Sequence, residues 1–311
     1  MADHQYAPGE SIAHQTRASA LNREDDFQPG FDPRQVRAGF ARRARAHARN
    51  PFFYDEVRER MLERLALIRL APERIVDLGC GPGKGAATLM RHYPRAQVLA
   101  VDLALPMLAG VRRRRGWWRR QPWPVAADAA ALPLADASVD MVFSSLMLPW
   151  CEPERVFREC ARVLRPGGLM IFSSLGPDSL IELKRAWAQM DDYTHINPFM
   201  DMHDVGDALV RAGLADPVMD VEQLTLEYAS LSRLWADLRV AGAGNLNHGR
   251  PPGLRGSGIL QQLARLWPAE AGCRRVTMEV VQGHAWAPDT PLSRNTADGE
   301  VHFPISRLGR R

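Results

Sequence analysis

The sequence predicts an α/β protein built on one mainly parallel, seven-stranded sheet with helices on both faces. Three observations carry this. Short apolar runs alternate with helical stretches between about residues 74 and 175. The first run, Ile75-Val76-Asp77-Leu78, passes directly into a loop with glycines at alternate positions, Gly79, Gly81 and Gly83. The next run, Gln97 to Val101, ends in Asp102, nineteen residues beyond Gly83. A strand, a glycine loop and a helix, followed by an acidic strand end, is an arrangement that binds a nucleoside at the carboxyl edge of a parallel sheet.

In chain order, residues 1–35 mix polar, Pro and Gly residues without periodicity and read as a leader. Arginines punctuate alanines from Val36 to Asn50, which predicts a polar covering helix. From Glu56 to Ile68, Val57, Met61, Leu65 and Ile68 share one helical face, with Arg and Glu on the other. Strands are expected near 74–78, 97–102, 123–127, 139–144 and 169–175, and helices near 84–92, 105–115 and 153–164. A helix from Met202 to Ala212 stops at Gly213, and strands near 218–228 and within 276–286 complete the sheet. Two segments exceed ordinary connections, 177–201 after the fifth strand and 230–272 between the last two. Both are expected at the ligand end of the sheet, folded together as a lid. One domain thus spans 36–288, with a polar tail at 289–311.

A hydrophobic content of 46% and a charged content of 24% are those of an ordinary globular protein, and no apolar run reaches membrane-spanning length. The modest net charge of +4 hides a bias: Lys84 and Lys184 are the only lysines, so 38 of 40 basic residues are arginine. Four cysteines lack ligand spacing, which argues against a disulfide framework or a metal site, and a cytoplasmic setting is expected. Arg112 to Arg115 with Trp117, Trp118, Arg119 and Arg120 form a basic-aromatic patch. Such a patch can bind single-stranded nucleic acid, dock an acidic protein, or be a solvated helix end. The last reading is preferred, and no nucleic-acid partner is expected.

The loop spacing is G-x-G-x-G, not the G-x-G-x-x-G of dinucleotide sites. Asp102 is suitably placed for two ribose hydroxyls. Asp128, closing the third strand, is placed for an adenine amino group, with the Ala129 N–H for a ring nitrogen; as a bare strand-end aspartate it is equally a turn former. Leu103 and Met107 can pack on the base or serve as helix-face core. The fourth strand ends Phe143-Ser144-Ser145-Leu146-Met147-Leu148-Pro149-Trp150-Cys151, which has neither the Asn/Asp-Pro-Pro-aromatic motif of amino-nitrogen methylation nor a Pro-Cys nucleophile.

With Asp77 two residues before Gly79, the loop resembles motif I of class I S-adenosylmethionine (SAM) methyltransferases. That resemblance implies a Rossmann-like fold and SAM as cofactor. It would be held by Asp77, Gly79, Cys80, Gly81, Gly83, Asp102, Leu103, Met107, Asp128, Ala129, Ser145 and Leu146. The chain more closely resembles the malonyl-[acyl-carrier protein] O-methyltransferases of biotin synthesis, from about Val36 to Pro288. The resemblance rests on the fourth-strand segment above, on Leu164-Arg165-Pro166-Gly167-Gly168, and on Phe172-Ser173-Ser174-Leu175-Gly176-Pro177-Asp178-Ser179-Leu180. Its most specific pieces are His195-Ile196-Asn197-Pro198-Phe199-Met200-Asp201 and Val280-Val281-Gln282-Gly283-His284-Ala285-Trp286.

That family implies methyl transfer to the free carboxylate of a malonyl thioester, with malonyl-loaded acyl carrier protein as partner. A carboxylate needs no general base, because its pKa is about 4. Substrate-positioning candidates are His47, Tyr54, Trp150, His195, Arg250 and Arg255. One departure stands out: where the family pattern Phe-x-x-x-Ala-x-x-Tyr-Asp has tyrosine, this chain has His47 after Phe40 and Ala44. The resemblance extends to a mitochondrial complex I assembly factor that acts as an arginine hydroxylase. Another SAM-dependent small-molecule methyltransferase, or an assembly-factor relative, therefore stays open as an alternative.

Overall fold

The computed structural model describes residues 32–49, 52–113, 121–241, 258–270 and 272–289. Seven strands form one sheet: β1 (Arg74–Leu78), β2 (Gln97–Asp102), β3 (Trp123–Ala126), β4 (Val139–Ser145), β5 (Leu164–Leu175), β6 (Ala215–Tyr228) and β7 (Arg274–Trp286). Their order is β3-β2-β1-β4-β5-β7-β6. The first five run parallel, and β7 lies antiparallel between β5 and β6. The sheet is the mainly parallel one that the strand–helix rhythm predicts. The fifth strand starts earlier than expected, at Leu164, because the Arg165-Pro166-Gly167-Gly168 turn is absorbed into it. Gly167 sits there at φ 72°, a conformation that favours glycine.

Central strands buried on both faces read as apolar runs, and helices supply the covers. On one face α5 (Pro153–Val163) and α7 (Met202–Arg211) pack through Val156, Phe157, Cys160, Val205 and Leu209 onto Val142, Met170 and Phe172. On the other, α2 (Phe52–Ala66), α3 (Lys84–His92) and α4 (Leu105–Arg113) bring Met61, Leu65, Leu89 and Leu108 onto Ile75, Phe143 and Ile171. Ion pairs from Arg60 to Glu222 and from Arg64 to Asp220 tie α2 to the edge strand β6. The first helix, α1 (Pro33–Arg49), packs on α4 through Phe40, Ala44, Ala104 and Met107. No described helix is long and apolar enough to cross a membrane.

The two long segments contain helices that periodicity did not reveal: α6 (Ile181–Ala188), α8 (Leu231–Val240) and α9 (Gly258–Leu266). The β5–β7 ladder ends at Leu175↔Val280, whereas β6–β7 pairing continues to Tyr228↔Arg274. This two-stranded ribbon overhangs the sheet by about 20 Å at about 3.4 Å per residue. A two-stranded ribbon alone is marginal, so its apolar side chains need cover. Leu224, Leu226, Val276 and Met278 of the ribbon share a third core with Leu183 and Trp187 of α6, Leu234 of α8 and Leu263 of α9. The described parts of the two segments thus form a helical cap at the carboxyl end of β5.

Candidate active site

The glycine loop after β1 is held open by its backbone. The Gly79 and Cys80 N–H groups both donate to the Val101 carbonyl, at 2.9 Å each. Gly79 adopts φ 74°, and a Cβ there would collide with the Met147 side chain. Gly83 acts differently. At φ 81° it caps α3, and a Cβ would lie 2.6 Å from Val111 Cγ2, so it admits α4 and is not among the residues lining the cleft.

One continuous cleft opens at this end of the sheet. Along it the strand-end acids appear in order, Asp128 after β3, Asp102 on β2 and Asp77 on β1. Asp102 accepts from the Gly81 N–H through Oδ2 at 2.9 Å and from the Ala104 N–H through Oδ1 at 2.8 Å. Asp128 uses Oδ1 on the Ala130 N–H at 2.9 Å, an Asx turn that aims the group across the cleft. Leu103, Met107, Ala127 and Ala129 add apolar lining. Asp77 is 3% exposed. Burial raises its pKa to about 7, opposed by the Ala86 N–H bond and the Arg58 charge. Its Oδ2 has no partner among the described residues.

At the end of β4, Leu146 takes φ 53° and donates its N–H to Ser173 Oγ at 3.1 Å. Ser145 beside it lines the cleft with a buried Oγ that has no partner among the described residues. Cys151 also lines the cleft, but burial pushes its pKa up, and its thiol rests on the Leu148 carbonyl at 3.4 Å. That environment keeps it a neutral thiol.

Helices α1 and α2 roof the cleft. Phe40 meets Trp150 edge-on at 5.5 Å, and His47 meets Tyr54 at 4.6 Å. His47 Nδ1 lies 3.3 Å from the Val240 carbonyl. A carbonyl only accepts, so the proton sits on Nδ1 and Nε2 is left as an acceptor near Gly81. Burial lowers the His47 pKa despite the favourable Val240 bond, so the ring is neutral at pH 7. Tyr54 donates its hydroxyl to the Ala241 carbonyl at 2.7 Å. Both side chains therefore hold the end of α8. Tyr54→Phe should lower stability by about 1 kcal/mol in urea melts, the cost of one hydrogen bond. An unchanged midpoint would mean that the contact to the cap carries no net energy.

Of the positioning candidates, His47, Tyr54 and Trp150 come together on the cleft. His195 does not. It stacks on Trp187 at 3.6 Å, bonds Asp191 Oδ1 at 2.7 Å, and belongs to the interior of the cap. Its place in the family-specific stretch from His195 to Asp201 suggested the cleft, but the flat indole of Trp187 on α6 captures it. Arg250 and Arg255 lie outside the described residues, as does the Arg112–Arg120 patch apart from the backbone of Arg112 and Arg113.

Sequence reading missed a charged corner made by Asp55, Arg58 and Lys84, all of which line the cleft. Lys84 Nζ lies 2.8 Å from Asp55 Oδ2, and Arg58 Nη2 lies 2.8 Å from Asp55 Oδ1. Burial acts to raise the Asp55 pKa, but the two cations outweigh it and hold the carboxyl below its usual range. The Arg and Glu face of α2 predicts a solvated Arg58, whereas its side chain is only 13% exposed. A usable signal was Lys84, a lysine directly after the glycine loop in a chain that otherwise uses arginine.

Comparison with known proteins follows this geometry. The Methyltransferase domain family matches residues 76–172, the segment that carries the glycine loop and all three strand-end acids. A malonyl-[acyl-carrier protein] O-methyltransferase of Laribacter hongkongensis is 46% identical over 278 residues, covering 86% of this chain and 94% of the relative. One from Gallionella capsiferriformans is 42% identical over 275 residues, covering 86% and 95%. The chain belongs to the malonyl-[acyl-carrier protein] O-methyltransferase family.

Solved structures agree on the fold of this family member. The YcgJ protein of Bacillus subtilis superposes with a TM-score of 0.52 at 14% identity, covering 71% of this chain and 94% of that one. A SAM-dependent methyltransferase of Thermotoga maritima gives 0.50 at 16% identity, covering 81% and 99%. SAM is the methyl donor of this methyltransferase. The residues present fit such a group: three strand-end acids line the cleft in order, Leu103, Met107, Ala127 and Ala129 stand among them, and Asp77 keeps a buried oxygen without a partner among the described residues.

Proposed function

We propose that this chain transfers the methyl of SAM to the free carboxylate of a malonyl group carried as a thioester on acyl carrier protein, giving the methyl ester. The observation that carries this is 46% identity over nearly the whole length of a relative bearing that name. The cleft's chemistry is consistent with it. Cys151 is held as a thiol, and the groups that could take a proton, neutral His47 through Nε2 and Asp77 with its raised pKa, are not called on. A carboxylate acceptor, anionic above a pKa of about 4, requires none of them as a base.

SAM supplies an electrophilic methyl on a positively charged sulfur. As the carboxylate oxygen forms its bond to that carbon, the carbon–sulfur bond breaks and its electron pair returns to sulfur. The work left to this chain is alignment. Asp102 and the Gly79–Gly81 backbone fix the nucleoside half of the donor. Leu146, Met147 and Trp150 supply an apolar wall beside Ser145. Two opposite charges vanish in the reaction, so a wall that excludes water favours it. Acyl carrier protein is acidic, and the exposed Arg37, Arg42 and Arg45 of α1, beside this roof, offer it a docking charge.

The test is transfer of labelled methyl to malonyl-acyl carrier protein, malonyl-coenzyme A and a neutral malonyl thioester, each against a blank. A base-labile methyl ester on the carrier protein is expected. Transfer from a SAM-binding preparation to none of the three would reject the acceptor and leave the family's fold with another substrate.

A further inference from the structure

The charged corner has chemistry that the acceptor reaction does not use. Asp77 offers a buried, unpartnered carboxylate oxygen, Oδ2. Arg58 offers on the same cleft a buried Nε without a partner among the described residues, and its charge acts on Asp77. An anionic acceptor and a cationic donor standing next to each other match one kind of ligand, a free α-amino-acid headgroup with its ammonium and carboxylate on one carbon. A malonyl carboxylate has no ammonium and would leave Asp77 unpaired. The order of acids along the cleft agrees: with the base at Asp128 and the ribose at Asp102, the headgroup of the donor falls next, at Asp77.

We propose that Arg58 is the residue that grips the α-carboxylate of SAM, and that Asp55 and Lys84 are positioning residues that hold its guanidinium for that contact. This rests on the cleft being the SAM site. Asp55 takes one Arg58 nitrogen at 2.8 Å and Lys84 at 2.8 Å, so the guanidinium is anchored by one edge while Nε stays uncommitted. Lys84 is itself fixed at the first position of α3, directly after the glycine loop. Anchoring in advance matters for an arginine, because a free one loses rotamer freedom on binding. The arrangement makes the enzyme selective for donors and products that keep the carboxylate.

Calorimetric titration tests this without any acceptor. Wild type should bind SAM at least about tenfold more tightly than decarboxylated SAM, and S-adenosylhomocysteine correspondingly more tightly than 5′-methylthioadenosine. Arg58→Gln should weaken S-adenosylhomocysteine about ten- to a hundredfold, the worth of a charged hydrogen bond. It should change 5′-methylthioadenosine by less than about threefold. Arg58→Lys should recover part of the difference, and Lys84→Met should lose a smaller part of it. Equal wild-type affinity for SAM and its decarboxylated form overturns the proposal, even if no variant folds. So does Arg58→Gln with intact discrimination and a raised KM for the malonyl thioester, which would place Arg58 on the acceptor. Wild type that discriminates the headgroup yet methylates no malonyl thioester would refute the proposed function alone.

Discussion

Asp102→Ala is expected to lower the affinity for SAM by about a hundredfold or more. The carboxylate accepts from the Gly81 and Ala104 N–H groups, so it braces the glycine loop as well as lining the cleft proposed for the ribose. A bond to a charged group contributes about 1.5–3 kcal/mol, and two ribose hydroxyls would lose such an acceptor. The braced N–H groups would also lose their partner, and the loop would relax from the shape that admits the donor. Asp102→Asn keeps one acceptor oxygen and should fall between wild type and alanine. Calorimetric titration with S-adenosylhomocysteine reads all three. Wild-type affinity in the alanine variant would remove Asp102 from the donor site.

Asp77 should leave a signature in stability against pH. Its folded pKa of about 7 lies above the ordinary carboxylate value of about 4, chiefly because it is buried. The folded protein therefore holds a proton that the unfolded chain has released between those pH values. The stabilisation is full below about pH 4 and is lost as pH rises through about 7, by up to about 4 kcal/mol in the ligand-free protein. Asp77→Asn cannot release that proton. The difference between urea midpoints of wild type and variant should thus swing in favour of the variant from pH 5 to pH 8. Parallel profiles would mean that Asp77 titrates in the ordinary carboxylate range.

Much of the fold was legible because local signals agreed. The Ile75–Leu78 run, three glycines at alternate positions and a strand-ending Asp102 all point to one arrangement, and β1, β2 and α3 fall where these residues put them. The cap helices were less legible because their apolar faces are short and answer to an overhanging ribbon that local periodicity cannot show. The charged corner was hidden for a related reason. A polar helix face is read as solvated, and only the packing of α2 against the sheet turns Arg58 inward. His195 shows the converse, a residue whose motif pointed to chemistry and whose place is set by stacking on Trp187.

The position of β7 bears on how the chain acquires its shape during synthesis. The last of the described strands in chain order is not an edge strand: it enters between β5 and β6, pairing with Leu169–Leu175 on one side and with most of β6 on the other. Until it arrives, β5 ends the parallel sheet with an unpaired edge, and β6 has no described strand to pair with. Unpaired strand edges are sites of association between incomplete chains. A nascent chain halted before Arg274 therefore carries the complete glycine loop and all three strand-end acids, yet presents a sticky margin where the finished sheet has its antiparallel hairpin. Among the described strands, joining β6 to the rest of the sheet is a single late insertion.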